Sequence, residues 1–289
     1  MIDCRGKNSS PKKSDGKNSL LVLIFLALVA WQVITKQAVA EGISQSWSDG
    51  DLPADSGLAI AQAMVGSWEY GVYLLGLPVG LKAQIEISLD DQHLLAKSQV
   101  THFLAANSHQ SKFSLLNCKY RLHGYHNYGF SPGWRFDDTV AFDWQKKTIR
   151  YQGMTQGPKT PDAQMQTVTM PLDDAVYVDK LSQFAALACA MQGRHGDDIL
   201  LSYVDDTIGR YKFLPDSSSK LMSIAGQQTP VIKVESEPYV YEEGSVHRRV
   251  TYWLAPALGY MPGKISTKLK GMRLTVKLLK TPSGTISSL

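Results

Sequence analysis

The stretch that decides the fold is Val79-Gly80-Leu81-Lys82-Ala83-Gln84-Ile85-Glu86-Ile87-Ser88-Leu89. Apolar and polar residues alternate through all of it, the period of a strand with one buried and one wet face. Asp90-Asp91-Gln92 then reads as a turn and Leu94 to Leu104 as a returning strand. The same alternation predicts strands over 120–126, 139–144, 148–154, 198–204, 209–214, 231–237, 246–254, 264–270 and 272–279. Glu242-Glu243-Gly244-Ser245 is a hairpin turn by composition, because glycine takes the positive φ such a turn demands. Gly153 to Asp162 and Asp216 to Gln228 read as loops.

One segment departs from this period. In Asp179 to Gln192, Leu181, Phe184, Ala185, Ala188 and Met191 recur at three- and four-residue spacing, which predicts a helix with one apolar face. Asp179 suits its N-cap and Gly193 the residue after its end. A single helix among about a dozen short strands predicts a mainly β fold: a curved antiparallel sheet or half-open β-barrel with one covering α-helix. Residues 67–280 form one such domain, preceded by a partly ordered lead-in over 41–66 and followed by a tail over 281–289.

The N-terminal 40 residues carry a different signal. Residues 1–19 are polar and basic, 20–34 are almost wholly apolar, and Ala38-Val39-Ala40 follows, the order of a secretory signal peptide. The apolar run falls short of the roughly 20 residues that span a bilayer. Cleavage after Ala40 therefore places the mature chain in the periplasm of a Gram-negative envelope without a stable membrane span. Six of the 30 cationic side chains and two of the 26 acids lie in this leader, so the net +4 of the chain belongs to it and the remainder is neutral. A neutral remainder argues against nucleic-acid binding, which needs a basic surface on the folded domain.

Only Cys118 and Cys189 remain after cleavage. In an oxidising compartment they can pair; alternatively each is a separately buried thiol, since both have apolar neighbours.

Catalytic signatures are missing. There is no G-x-S-x-G or H-E-x-x-H, no phosphate-cradling glycine motif, and no sequence sign of a cofactor. His123 and His126, with Asp137, Asp138 or Asp143, could supply zinc ligands for a metal-dependent hydrolase, but residues three apart on a strand face opposite ways unless the chain bends at Gly124. The doublets Asp90-Asp91, Asp137-Asp138, Asp173-Asp174, Asp197-Asp198 and Asp205-Asp206 read as turn chemistry rather than as an acid/base pair. Histidines 93, 102, 109, 195 and 247 stand singly, as solvated or hydrogen-bonded side chains do. Aromatic residues are denser. Tyr120, Phe142, Trp144, Phe184, Tyr252 and Trp253 either build the sheet core or line a concave cavity for an apolar or lipid-like ligand.

Three short motifs carry a family likeness: Tyr73-Leu74-Leu75-Gly76-Leu77-Pro78-Val79-Gly80, Val178-Asp179-Lys180-Leu181-Ser182, and Trp253-Leu254-Ala255-Pro256-Ala257-Leu258-Gly259-Tyr260-Met261-Pro262. Through them, residues 68 to 280 resemble the bacterial envelope family called domain of unknown function 3108. The resemblance implies an exported β-rich fold that shelters an apolar or amphipathic envelope ligand, and it supplies no catalytic residues. The alternative is an architectural protein that docks envelope proteins through edge strands such as Met272 to Leu279.

Overall fold

The computed structural model describes residues 56–102, 105–157, 160–193, 197–239, 249–269 and 271–282. The leader, its cleavage site and the turn expected at 242–245 lie outside these residues.

The protein is mainly β. Its strands are β1 (Gly66–Leu74), β2 (Leu77–Asp90), β3 (His93–His102), β4 (Ala105–Leu116), β5 (Lys119–Ser131), β6 (Trp134–Asp143), β7 (Thr148–Gly157), β8 (Thr160–Pro171), β9 (Tyr177–Val178), β10 (Ile199–Val204), β11 (Ile208–Ile224), β12 (Gln227–Pro238), β13 (Val250–Ala255), β14 (Met261–Leu269) and β15 (Met272–Lys280). They form one curved, unclosed sheet in the order β8-β7-β6-β5-β4-β3-β2-β1-β15-β14-β13-β12-β11-β10-β9. All pairings are antiparallel except β9 with β10. Since β1 lies beside β15, the first and last strands meet in mid-sheet. Among the described residues the outermost strands are β8 and β9, consecutive in sequence and joined by Leu172–Val176. That link is held at both ends, by Leu172 N–H to Lys147 O (3.0 Å) and Ser202 N–H to Val176 O (2.8 Å).

This topology corrects one expectation: Met272–Lys280 is paired on both sides, with β1 and β14, and has no edge to offer. Strand β8 is the long edge instead. Other expected loops are also strand. Residues 216–224 continue β11 past an irregularity between Pro215 and Ser219, and Ala225-Gly226, both at positive φ, turn into β12. Residues 153–157 end β7, and 160–162 begin β8.

Among the described residues two α-helices accompany the sheet. Helix α1 (Ser56–Met64) occupies part of the expected lead-in, and its Met64 carbonyl accepts the buried Trp68 indole N–H at 2.9 Å. Helix α2 (Gln183–Gly193) follows a turn at Asp179–Ser182. Every side chain from Leu181 to Met191 is buried. The sequence reads it as a one-faced cover; the structure surrounds it, because Ala185, Ala186, Ala188 and Ala190 let strands and α1 approach where larger polar groups would need water.

Cys118 and Cys189 form a disulfide, Cα to Cα 5.3 Å, that fastens α2 to the β4–β5 turn. Asn117 and Cys118 both have positive φ (49° and 54°), the conformation of a two-residue hairpin turn whose second place favours glycine. Cysteine occupies that place, and its bond to α2 is what the position gains.

Candidate functional site

The site begins at the loop that starts α2. Asp179 is buried and collects five donors: His109 Nε2 (3.1 Å), Ser111 Oγ, Leu181 N–H (2.7 Å), Ser182 N–H (3.2 Å) and Ser182 Oγ (2.9 Å). The Ser182 hydroxyl in turn accepts the Asp179 N–H (3.0 Å) and the Tyr120 hydroxyl (2.7 Å), so a reciprocal helix cap is tied to β5. Burial pushes the Asp179 carboxyl up, but the bonds from His109, Ser111 and Leu181 outweigh it and hold the group below the usual carboxylate range.

Lys180, half-buried, faces Asp138, Asp179 and Asp205. Burial is the dominant influence and lowers its amine to about 8 against the pull of those carboxylates. Asp138 accepts the Tyr151 hydroxyl at 2.9 Å, and burial raises its carboxyl despite that bond and Lys180. Tyr125 donates to the carbonyl of Val204, next to the β10–β11 turn that carries Asp205 and Asp206. Acid, amine and phenol groups with shifts of opposite sign thus lie close together, a grouping that marks this region as the candidate site. Titration of Lys180, followed by NMR after reductive methylation, is expected to show a midpoint near 8; a midpoint at the ordinary lysine value of about 10.4 contradicts this environment.

Beside this cluster the barrel opens. On β6, Phe142 and Val140 are buried, Asp138 and Phe136 half-buried, and Trp134 exposed; on β8, Met170 and Val168 are half-buried and Gln166 exposed. Alternation puts each set on the inner face. The rings lie flat because glycines make room. A Cβ on Gly129 would stand 2.2 Å from the Phe136 ring and 2.9 Å from the Ala106 carbonyl, on Gly153 1.9 Å from the Tyr151 oxygen, and on Gly157 2.7 Å from the Trp134 ring. Gly129→Ala is expected to cost about 1–3 kcal/mol in urea unfolding. An unchanged midpoint would show that Phe136 does not rest there.

Of the aromatic residues singled out from sequence, Tyr120, Phe142, Phe184 and Tyr252 point inward and pack against other rings: Phe142 on Tyr177 (5.7 Å), Phe184 on Tyr252 (5.9 Å) and Tyr120 on Phe113 (6.0 Å). Trp144 lies in the turn just after β6, stacked on Phe142 with the Arg121 guanidinium 4.8 Å from its ring centroid. Trp253 faces the other way from Tyr252, under the Lys264 amine at 4.2 Å. The six do not converge on one wall.

The histidine grouping also separates. A bulge at His123 puts Leu122 and Tyr125 both inward, as the bend at Gly124 requires. His123 then meets Ser114 (3.1 Å) and the His93 ring, while His126 pairs with Asp137 at 2.7 Å. Among the described residues no group of three His, Cys, Asp or Glu side chains could hold a metal. Asp137 and Asp138 prove to be mid-strand, one outward and one inward, rather than a turn. Sequence reasoning reads Asp138 only as a metal-ligand candidate or turn residue, Asp179 only as a helix cap, and Lys180 not at all as part of a site. Their signal is polarity at inward positions, which becomes visible only once the register is known.

The three family-like motifs fall on special backbone: the β1–β2 turn with Leu75 and Gly76 at positive φ, the Asp179 cap, and a short 3₁₀ turn (Pro256–Leu258) closed by Gly259 and Tyr260, also at positive φ. No family model matches the chain, and no curated protein matches it. The structure is similar to that of a β-barrel-like protein of domain of unknown function DUF1849 from Brucella abortus, with a TM-score of 0.48, 10% identity, and coverage of 75% of this chain and 97% of that one.

Proposed function

We propose that the chain is exported to the periplasm and there binds an amphipathic, lipid-like envelope ligand in the mouth of its half-open barrel. The observation that carries this reading is the inner face of β6 to β8, which passes from a buried apolar end at Phe142 and Ile149 to an open end at Trp134, Thr155 and Gln166. Such a gradient suits a ligand with an apolar tail and a polar head. Compartment is supported by the signal-like order of residues 1–40 and by a disulfide suited to an oxidising environment. Native mass spectrometry of protein released from its own envelope should show an adduct of lipid mass that Phe136→Ala weakens. Protein free of any adduct throughout would overturn the reading.

A second reading rests on β8. No described strand pairs with its outer edge, and its 12 residues include no lysine or arginine to discourage strand addition. Envelope proteins could add a strand there. Cross-linking in cells separates the two readings, because docking gives a discrete protein adduct.

A further inference from the structure

The strand register assembles a row that no short motif reveals. On the inner face Ser98 lies opposite His109, His109 opposite Asn127, Asn127 opposite Asp138, Asp138 opposite Gly153, and Gly153 opposite Gln166. Six adjacent strands, β3 to β8, contribute one position each, and none of the six is apolar in side chain. The flanking rows are mixed: Val100, Asn107, Gly129, Phe136 and Thr155 on one side, Ala96, Ser111, Tyr125, Val140 and Tyr151 on the other. Along the row Ser98, His109, Asn127 and Gly153 are buried, Asp138 is half-buried and Gln166, on the edge strand, is exposed. A polar track therefore runs from the open edge to the His109–Asp179 pair.

At its inner end Ser98 Oγ, His109 Nδ1 and, two residues along β4, Asn107 Oδ1 are buried and find no hydrogen-bond partner among the described residues. Ser98 is 0%, His109 2% and Asn107 6% exposed. Interior polar atoms without partners are uncommon and ask for a complement. Their chemistry says which kind. The Asn107 amide N–H groups are directed at Asn127 Oδ1 (3.3 Å) and Tyr128 O (3.4 Å), which leaves its oxygen to accept. With Nε2 directed at the Asp179 carboxylate, Nδ1 is the ring nitrogen of His109 left facing the row. Asn107 Oδ1 can only accept and the Ser98 hydroxyl can donate or accept, and at the mouth Asp138, Asp205 and Asp206 outnumber Lys180, which disfavours a phosphate. Phe136 and Trp134, laid flat on Gly129 and Gly157, add apolar platforms beside the track. Hydrogen-bond acceptors next to flat rings match a molecule that presents hydroxyl donors around an apolar face.

We infer that the polar head received by this track is a saccharide, so that the ligand is a glycolipid-like amphipath. The inference rests on the amphipath-binding reading above and names its head group. Two probes with one tail separate the two ideas: dodecyl maltoside and dodecyl phosphocholine, each titrated calorimetrically below its micellar concentration against the intact protein. The maltoside is expected to bind about tenfold tighter or more, since a site built for hydroxyls rejects heads that lack them. Asp138→Asn and Gln166→Leu should each narrow that gap several-fold, and Gln166 is exposed, so its variant leaves the core packing untouched. Equal or reversed affinities, or a gap that survives both substitutions, overturn the saccharide head while leaving amphipath binding in place. Failure of both probes to bind overturns both.

Discussion

Replacing Cys118 and Cys189 together by alanine is expected to lower the unfolding free energy by about 4 kcal/mol. The disulfide closes a loop with a sequence separation of 71 residues, and the loop-entropy relation gives that magnitude. The effect has a second component that distinguishes this turn from others. Cys118 sits at φ 54° in a place that favours glycine, so Cys118→Gly combined with Cys189→Ala should recover about 1 kcal/mol of the loss. Guanidinium unfolding of the wild type and both double variants measures the three values. Equal stability of wild type and the alanine pair would show that α2 is held by packing alone.

The second large effect belongs to Asp179. Asp179→Ala leaves His109, Ser111 and the Leu181 and Ser182 amides without their acceptor inside the barrel, and removal of such a hub is expected to cost about 3–5 kcal/mol. The same carboxyl gives a pH dependence of known sign. Its folded-state value is depressed, so its contribution is fully present above the unfolded value of about 3.9 and is lost as pH falls below that through the folded value. Wild type should therefore lose stability relative to Asp179→Asn as pH drops below about 4. A constant difference between the two across that range would contradict a depressed carboxyl.

Much of the sheet is legible in the chain because its strands bury one face and wet the other. Residues 79–89 are the clearest case, with Leu81, Ala83, Ile85 and Ile87 inward and their neighbours exposed. Strands escape the pattern where that condition fails. In β4 the inward positions include Asn107, His109 and Ser111, so hydrophobicity does not alternate even though burial does. Strand β8 is an edge with both faces largely open, and β1 buries Tyr70, Gly71 and Val72 in succession beside a register shift. Helix α2 is detectable from its spacing, yet alanine-rich burial on all sides is a fact of its surroundings. The site is the least legible part for the same reason. Asp138 lies 29 residues after His109 and 42 before Lys180, and only the pairing of β4 to β6 and the return of the chain through β9 bring their environments together.

The most direct test of ligand binding at the mouth is photo-cross-linking in cells from a reactive residue placed at position 166, on the inner face of β8, with position 167 on the outer face as control. The account predicts a lipid-sized adduct from 166 and none from 167. A protein-sized adduct at 166, or the same small adduct from both positions, would contradict it.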